Sequence, residues 1–132
     1  MKRIVLLEDD PLLIDIYQTK LKGRGFEIIV IDHGEGAVEK IEKEKPDLVM
    51  LDIVLPNQDG WQILKQLKAI EVLKDMKVVI LSNLGQREEV EKGLHMGAEK
   101  YLIKAHYTPT QVVQEIENIL GEQQVTETEP TS

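Results

Sequence analysis

Five short runs of apolar residues alternate along the chain with longer stretches that mix apolar and polar residues. The runs are rich in Ile, Val and Leu, and they occupy residues 4–7, 28–31, 48–51, 78–81 and 101–103. None of them alternates apolar with polar residues, as a half-exposed antiparallel strand would. The pattern therefore predicts five strands of a parallel sheet that is covered on both faces.

The stretches between the runs have helical spacing. The first predicted helix begins with Asp10 as N-cap and Pro11 at the first helical position, and the last begins with Thr108 as cap and ends at Gly121. The other predicted helices span residues 35–43, 61–73 and 87–96. This alternation predicts an α/β, doubly wound five-stranded parallel sheet with flavodoxin-like order 2-1-3-4-5 and helices on both faces.

Length and composition predict one domain. The chain has 132 residues, 42% of them apolar, which is enough for a single core. We assign residues 1–121 to this domain and residues 122–132, with one aliphatic side chain, to a disordered tail or linker stub. The chain contains no cysteine, which excludes disulfides, thiolate metal sites and cysteine nucleophiles.

Charge and the N-terminal sequence indicate where the protein acts. The formal net charge of −8 disfavours direct binding to nucleic acid or to an anionic membrane. The first apolar run ends at Glu8 after four residues, which is too short for a signal peptide or a membrane span. We therefore expect a cytoplasmic protein without direct nucleic-acid or membrane binding.

Polar and charged residues follow four of the predicted strands. In an open α/β sheet, the ligand site lies outside the carboxyl ends of the strands. The residues predicted to meet there are Glu8, Asp9, Asp52, Ser82 and Lys104. Two carboxylates about 4 Å apart repel by roughly 4 kcal/mol at an effective dielectric near 20, so a cation must lie between them. Mg²⁺ suits this position because it takes oxygen ligands and completes its shell with phosphate.

This set of residues suits phosphoryl transfer. Asp52 can act as the nucleophile, while Mg²⁺ and Lys104 stabilise the phosphoryl oxygens and Ser82 donates a hydrogen bond to one of them. Simpler roles remain open for single residues. Asp10 is better explained as a helix cap than as a ligand. Ser82 and Asn83 can simply open a turn, and Lys104 can extend to solvent.

Longer motifs around these residues support a family resemblance. Residues 5–10 combine an apolar run with three acids, and Asp52 is followed by Pro four residues later and Gly eight residues later. Residues 78–82 and 97–104 end in Ser82 and Lys104. These motifs resemble the receiver domains of bacterial response regulators, over residues 1 to about 120. The resemblance implies that Asp52 is phosphorylated by a histidine kinase or a phosphotransfer protein.

The resemblance also implies roles for the metal ligands and for a switch. Asp9, Asp52 and the backbone carbonyl of Val54 would bind Mg²⁺, and Glu8 would contact it through water. Ser82 and Tyr101 would be the switch residues, the hydroxyl moving toward the phosphoryl group and the ring turning inward. For Tyr101, the role of a half-buried strand aromatic remains an alternative.

The implied output surface consists of the fourth helix, the fifth strand and the fifth helix, which would bind a downstream protein. The protein would be a monomer or a phosphorylation-dependent dimer. Two departures from the family pattern stand out. Ala105 replaces the usual proline, which puts the expected cis peptide in question because a non-proline cis bond costs about 2.5–4 kcal/mol. Asn83 replaces a small residue, so we expect an altered rate of dephosphorylation.

Two other functions are weighed. A metal-dependent phosphohydrolase would use Asp52 as a transient nucleophile, but residues 52–54 contain no second acid to act as a general acid. A scaffold that acts by binding alone has no need of these charged residues. We therefore expect a phosphoacceptor with slow self-dephosphorylation, not an enzyme. His33, His95 and His106 have no metal-binding spacing and are expected at the surface or in loops.

Overall fold

Five parallel strands form the central sheet of the computed structural model, which describes residues 1–121. Counting only strands of this sheet, they are β1 Arg3–Leu7, β2 Glu27–Ile31, β3 Leu48–Leu51, β4 Lys77–Ser82 and β5 Lys100–Ile103. The strands lie in the order β2-β1-β3-β4-β5, and all neighbours are parallel. The predicted fold class and strand order are confirmed. The predicted tail, residues 122–132, lies outside the described residues.

Five α-helices cover the two faces of the sheet. They are α1 Pro11–Gly23, α2 Ala37–Glu44, α3 Gly60–Lys68, α4 Arg87–His95 and α5 Pro109–Leu120. Helices α1 and α5 enclose one hydrophobic core, and α2, α3 and α4 enclose the other. A membrane-spanning helix needs about 20 apolar residues, and no helix within residues 1–121 has the required length and apolar composition.

Successive residues of each strand enter opposite cores. In β1, Val5 and Leu7 belong to the core under α2, α3 and α4, whereas Ile4 and Leu6 belong to the core under α1 and α5. All four side chains are buried. Because neighbouring side chains point to opposite faces of a strand, a sheet covered on both sides needs apolar residues at every position. This explains the continuous apolar runs in the sequence.

The helix ends follow the capping residues in the sequence. The Asp10 side chain accepts hydrogen bonds from the backbone N–H groups of Leu12 and Leu13, which confirms Asp10 as the N-cap of α1. Thr108 and Gln111 form a reciprocal capping box at the start of α5. These bonds satisfy N–H groups that have no partner inside the helix.

Two helices differ by more than one residue at an end from their predicted bounds, and α4 ends at His95, one residue before the predicted end. Helix α2 begins at Ala37 instead of residue 35, because Gly36 has a left-handed backbone conformation with φ 73°. Helix α3 ends at Lys68, and a separate 3₁₀ turn, Glu71–Leu73, follows it. Between them the backbone of Ile70 is extended, and the turn returns the buried Leu73 to the core before β4. The apolar spacing continues through this break, so it concealed the end of the helix.

Candidate functional site

The polar residues that follow the strands lie together at one edge of the sheet. Glu8 and Asp9 follow β1, Asp52 follows β3, Ser82 ends β4 and Lys104 follows β5. They line one cavity of about 400 Å³, whose remaining lining residues are Asp10, Val54, Asn83 and Leu84. The structure thus brings together every predicted site residue except Tyr101, which lies outside this lining. His33, His95 and His106 are exposed and also lie outside it.

Lys104 connects two of the carboxylates. Its Nζ atom lies 2.8 Å from Oδ2 of Asp52, 2.8 Å from Oε1 of Glu8 and 3.1 Å from Oε2 of Glu8. Only 12% of the Lys104 side chain is exposed, so it points into the cavity and does not extend to solvent. The ammonium group therefore supplies a fixed positive charge between Glu8 and Asp52.

Burial and ion pairing act in opposite directions on Glu8 and Lys104. Glu8 is 1% exposed, and burial raises the pKa of its carboxyl despite the nearby ammonium group. Burial alone would lower the pKa of Lys104, but hydrogen bonds to Asp52 and Glu8 outweigh it and raise the pKa. Lys104 therefore stays protonated within the cavity. The family resemblance implied that Glu8 contacts Mg²⁺ through water, but no sequence pattern indicated the direct contact between Glu8 and Lys104.

Both carboxylate oxygens of Asp52 are oriented by neighbours. Oδ1 accepts a hydrogen bond of 3.1 Å from the backbone N–H of Val54, and Oδ2 contacts Lys104. The backbone N–H of Asp52 donates to the carbonyl of Leu7 on β1, at 3.0 Å. Asp52 is 6% exposed and still lines the cavity. The carboxylate is thus held in a defined orientation at the end of β3.

Three acidic side chains can hold a divalent cation. One carboxylate oxygen from each of Glu8, Asp9 and Asp52 lies within 4.8 Å of the other two. Clustered carboxylate oxygens are the ligands that Mg²⁺, Mn²⁺ and Ca²⁺ prefer. Asp9 is exposed and Asp52 is buried, so the cluster extends from the cavity wall to its mouth. The donor set fits a hard divalent metal ion.

A short hairpin shapes the loop after Asp52. Val54–Leu55 pairs antiparallel with Gln58–Asp59, and Asn57 between them has a left-handed φ of 67°. This hairpin was not predicted from the sequence, although the turn-forming residues that follow Pro56 could have indicated it. The hairpin leads into α3, whose first turn is capped by the Asp59 side chain.

Gly60 allows this loop to approach the end of β3. Its N–H donates a 2.9 Å hydrogen bond to the carbonyl of Ile53. A Cβ atom at position 60 would lie 2.5 Å from Cα of Ile53 and 2.8 Å from the carbonyl oxygen of Asp52. These atoms belong to the backbone and cannot rotate away, so only glycine fits here without a shift of the chain.

Ser82 and Tyr101 both contact Leu84, which follows β4. The Ser82 Oγ atom accepts a hydrogen bond of 3.2 Å from the N–H of Leu84, as in the simple turn considered above. The Tyr101 hydroxyl donates to the carbonyl of Leu84. Ser82 is fully buried and Tyr101 is 9% exposed, so its ring points inward beneath α4. The peptide bond from Lys104 to Ala105 is trans.

Comparisons with known proteins agree with this geometry. Residues 4–117 match the family model of the response regulator receiver domain. The chain is 32% identical over 126 residues to the alkaline phosphatase synthesis transcriptional regulatory protein PhoP of Bacillus subtilis (strain 168), covering 94% of this chain and 50% of PhoP. It therefore spans about half the length of the curated relatives it matches.

Two solved structures extend the comparison. The BeF3-activated N-terminal receiver domain of Klebsiella pneumoniae RstA is 30% identical, with a TM-score of 0.77, covering 88% of this chain and 96% of that chain. The Mn(2+)-bound form of response regulator Rcp1 is 28% identical, with a TM-score of 0.81, covering 98% of this chain and 99% of that chain. Both are similar to this chain over most of the fold described above.

Proposed function

Because the chain belongs to the family of response regulator receiver domains, we propose that Asp52 is its phosphoacceptor in two-component signalling. Receiver domains are generally not enzymes, so turnover of an external substrate is not the purpose of this site. The observation that supports Asp52 is its position at the end of β3, where its carboxylate contacts the Lys104 ammonium group and lies close to the carboxylates of Glu8 and Asp9. Lys104 supplies one of the cations that phosphoryl transfer needs, and the acidic cluster can hold a second.

In this proposal, the phosphoryl group comes from a histidine side chain of the donor protein. The P–N bond of the donor breaks as an oxygen of Asp52 forms a P–O bond, and the freed imidazole nitrogen keeps the electron pair and takes a proton. Lys104 compensates the negative charge of the phosphoryl oxygens. The Ser82 hydroxyl accepts from Leu84 with its lone pair, so its own proton remains available to donate to a phosphoryl oxygen.

Mg²⁺ is the metal ion that we assign to the acidic cluster. Asp9, Asp52 and the backbone carbonyl of Val54 would hold it directly, and Glu8 would act through water because Lys104 contacts both of its carboxylate oxygens. When bound, the ion supplies positive charge to the phosphoryl oxygens. The similarity to response regulator Rcp1, solved in a Mn(2+)-bound form, supports binding of a divalent ion by this chain.

The remaining parts of the proposal concern the domain and its partners. Residues 1–121 form the receiver domain of a cytoplasmic protein, and the donor is a histidine kinase or phosphotransfer protein. The output surface is formed by α4, β5 and α5, and it binds a downstream protein, with the receiver acting as a monomer or as a dimer after phosphorylation. We expect slow self-dephosphorylation, with Asn83 at the cavity wall affecting its rate.

Intact-protein mass spectrometry tests the central claim. After incubation with Mg²⁺ and acetyl phosphate, the wild-type protein should gain one phosphoryl group, and Asp52→Asn should gain none. Asp59→Asn is the matched control, since Asp59 lies on the same loop but caps α3 at an exposed position. Phosphorylation that survives in Asp52→Asn, or no phosphorylation of the wild type, contradicts the proposal.

A further inference from the structure

A buried glycine lies within helix α4, on the side that packs against the sheet. Gly93 is the seventh of the nine residues of α4. Glycine within a helix is unfavourable relative to alanine, because it gives the unfolded chain more conformational freedom and leaves the helix backbone uncovered. A packing requirement at this position would explain it.

The space beside Gly93 is filled by the ring of Tyr101 on β5. A Cβ atom at position 93 would lie 2.8 Å from Cδ2 and 3.2 Å from Cε2 of Tyr101, and 2.6 Å from Cδ1 of Ile80. Ordinary carbon contacts begin at about 3.5 Å. The Ile80 methyl group can rotate away, but the aromatic ring is rigid. The ring therefore occupies a notch that exists only because residue 93 has no side chain.

The ring is also fixed at its far end. Its hydroxyl donates to the carbonyl of Leu84, and the residue is 9% exposed. On the preceding residue of α4, Lys92 places its ammonium group 4.4 Å from the ring centroid of Trp61 on α3, which holds α4 close to α3. The two groups in direct contact with the ring at its hydroxyl end and at its edge, the Leu84 carbonyl and the Gly93 backbone, carry no charge.

Resting on the function proposed above, we propose that Gly93 is a positioning residue that holds Tyr101 inward whether or not Asp52 is phosphorylated. Of the two predicted switch residues, Ser82 then responds to the phosphoryl group and Tyr101 does not turn. Leu84 links the two residues, because its N–H donates to Ser82 and its carbonyl accepts from Tyr101. The fixed Tyr101 hydroxyl keeps the Leu84 carbonyl in place while the Ser82 hydroxyl donates to the phosphoryl group.

Nuclear Overhauser contacts test the orientation directly. In wild-type protein with Mg²⁺, cross-peaks between the Tyr101 ring protons and the Gly93 Hα protons should be present both before and after addition of beryllofluoride. Cross-peaks that appear only with beryllofluoride overturn the proposal. Mass spectrometry with acetyl phosphate separately reports whether Asp52 accepts a phosphoryl group. A wrong orientation of Tyr101 can therefore be distinguished from a wrong assignment of the phosphoacceptor.

Substitutions test whether Gly93 is the cause. Ile80→Val removes the Cδ1 contact and leaves only the contact with the ring. In this background, Gly93→Ala should eliminate the contacts between residue 93 and the ring and lower the urea midpoint, although alanine favours the helix. When Tyr101→Ala is added, the same Gly93→Ala change should raise the midpoint.

Gly23→Ala is the matched control, because a Cβ atom at the end of α1 has no neighbour within 4 Å. It should leave the midpoint unchanged or raise it. If Gly93→Ala in the Ile80→Val background behaves like this control and keeps the Tyr101 ring against residue 93, the notch does not position the ring and the proposal fails.

Discussion

Glu8 is almost fully buried, although it lies next to two further acids. Its carboxylate contacts Lys104 with both oxygens and also accepts a hydrogen bond from the N–H of Asp10. Lys104 divides its charge between Glu8 and Asp52, so a change in either acid alters the environment of the other. Glu8 therefore helps to fix the position of the ammonium group that faces the phosphoacceptor.

The stability of the protein should depend on the ionisation of Glu8. Burial raises its folded-state pKa above the ordinary value of 4.5, so the folded protein keeps this proton to higher pH than the unfolded chain. The stability contributed by Glu8 is complete below pH 4.5 and is lost as the pH rises through the raised pKa. In Mg²⁺-free buffer, the free energy of unfolding of the wild type should fall relative to Glu8→Gln over that range.

Urea unfolding of both proteins at a series of pH values measures this difference. Glu42→Gln removes an exposed carboxylate from α2 and is the matched control. A wild-type protein that gains stability relative to Glu8→Gln as the pH rises would show that ion pairing with Lys104, not burial, dominates at Glu8.

Helix α3 depends on its first residue, because Gly60 contacts the backbone of the strand end that holds Asp52. Gly60→Ala should lower the free energy of unfolding by about 1–3 kcal/mol, the usual effect of forcing an extra carbon into a packed site. It should also weaken Mg²⁺ binding, since the displaced chain includes the carbonyl of Asp52. Urea unfolding and isothermal titration with Mg²⁺ measure the two effects.

Gly23→Ala again provides the control, since its new methyl group would meet no neighbour. It should retain wild-type Mg²⁺ affinity and lose no stability. Gly60→Ala with both properties intact would mean that the loop adjusts without disturbing the end of β3.

The strands and the outer helices could be predicted because their signals are local. A parallel strand buried on both faces is apolar at every position, and α1 and α5 have side-chain caps next to a proline. The hairpin at Val54–Asp59 was not predicted because it consists of only two pairs, in which Leu55 is the one buried residue. The break in the helix after Lys68 was also not predicted, because the packing of Leu73 overrides a helical sequence pattern that continues through the break.

The site residues could be predicted as a group because all parallel strands end at the same edge. Their individual contacts could not, since Lys104 lies 96 residues after Glu8 in the chain and their pairing depends on the completed fold. Likewise, the inward position of Tyr101 on β5 depends on the missing side chain of Gly93, which lies on a different element, α4. Such contacts come from tertiary packing, which no local pattern reports.

Binding of Mg²⁺ should stabilise the whole molecule. A ligand that binds only the folded state adds about 2.7 kcal/mol to the free energy of unfolding at 100 times its dissociation constant. We therefore expect the urea midpoint to rise with Mg²⁺ concentration, and Asp9→Asn to reduce this rise because it removes a carboxylate from the cluster.

Sodium chloride at matched ionic strength is the necessary control. The chain has a formal net charge of −8, and any salt screens its self-repulsion. The rise with Mg²⁺ should exceed the rise with sodium chloride in the wild type. Equal effects of the two salts would indicate general screening instead of a bound ion.

Because of the contact between Lys92 and Trp61, intrinsic tryptophan fluorescence reports the position of α4 relative to α3. The chain has a single tryptophan, so all of its indole emission comes from the junction of α3 and α4. A cation 4.4 Å from the ring centroid perturbs the excited state, and any displacement of α4 changes that distance. Movements of the proposed output surface can thus be followed by the colour and intensity of emitted light, in unlabelled protein and in real time.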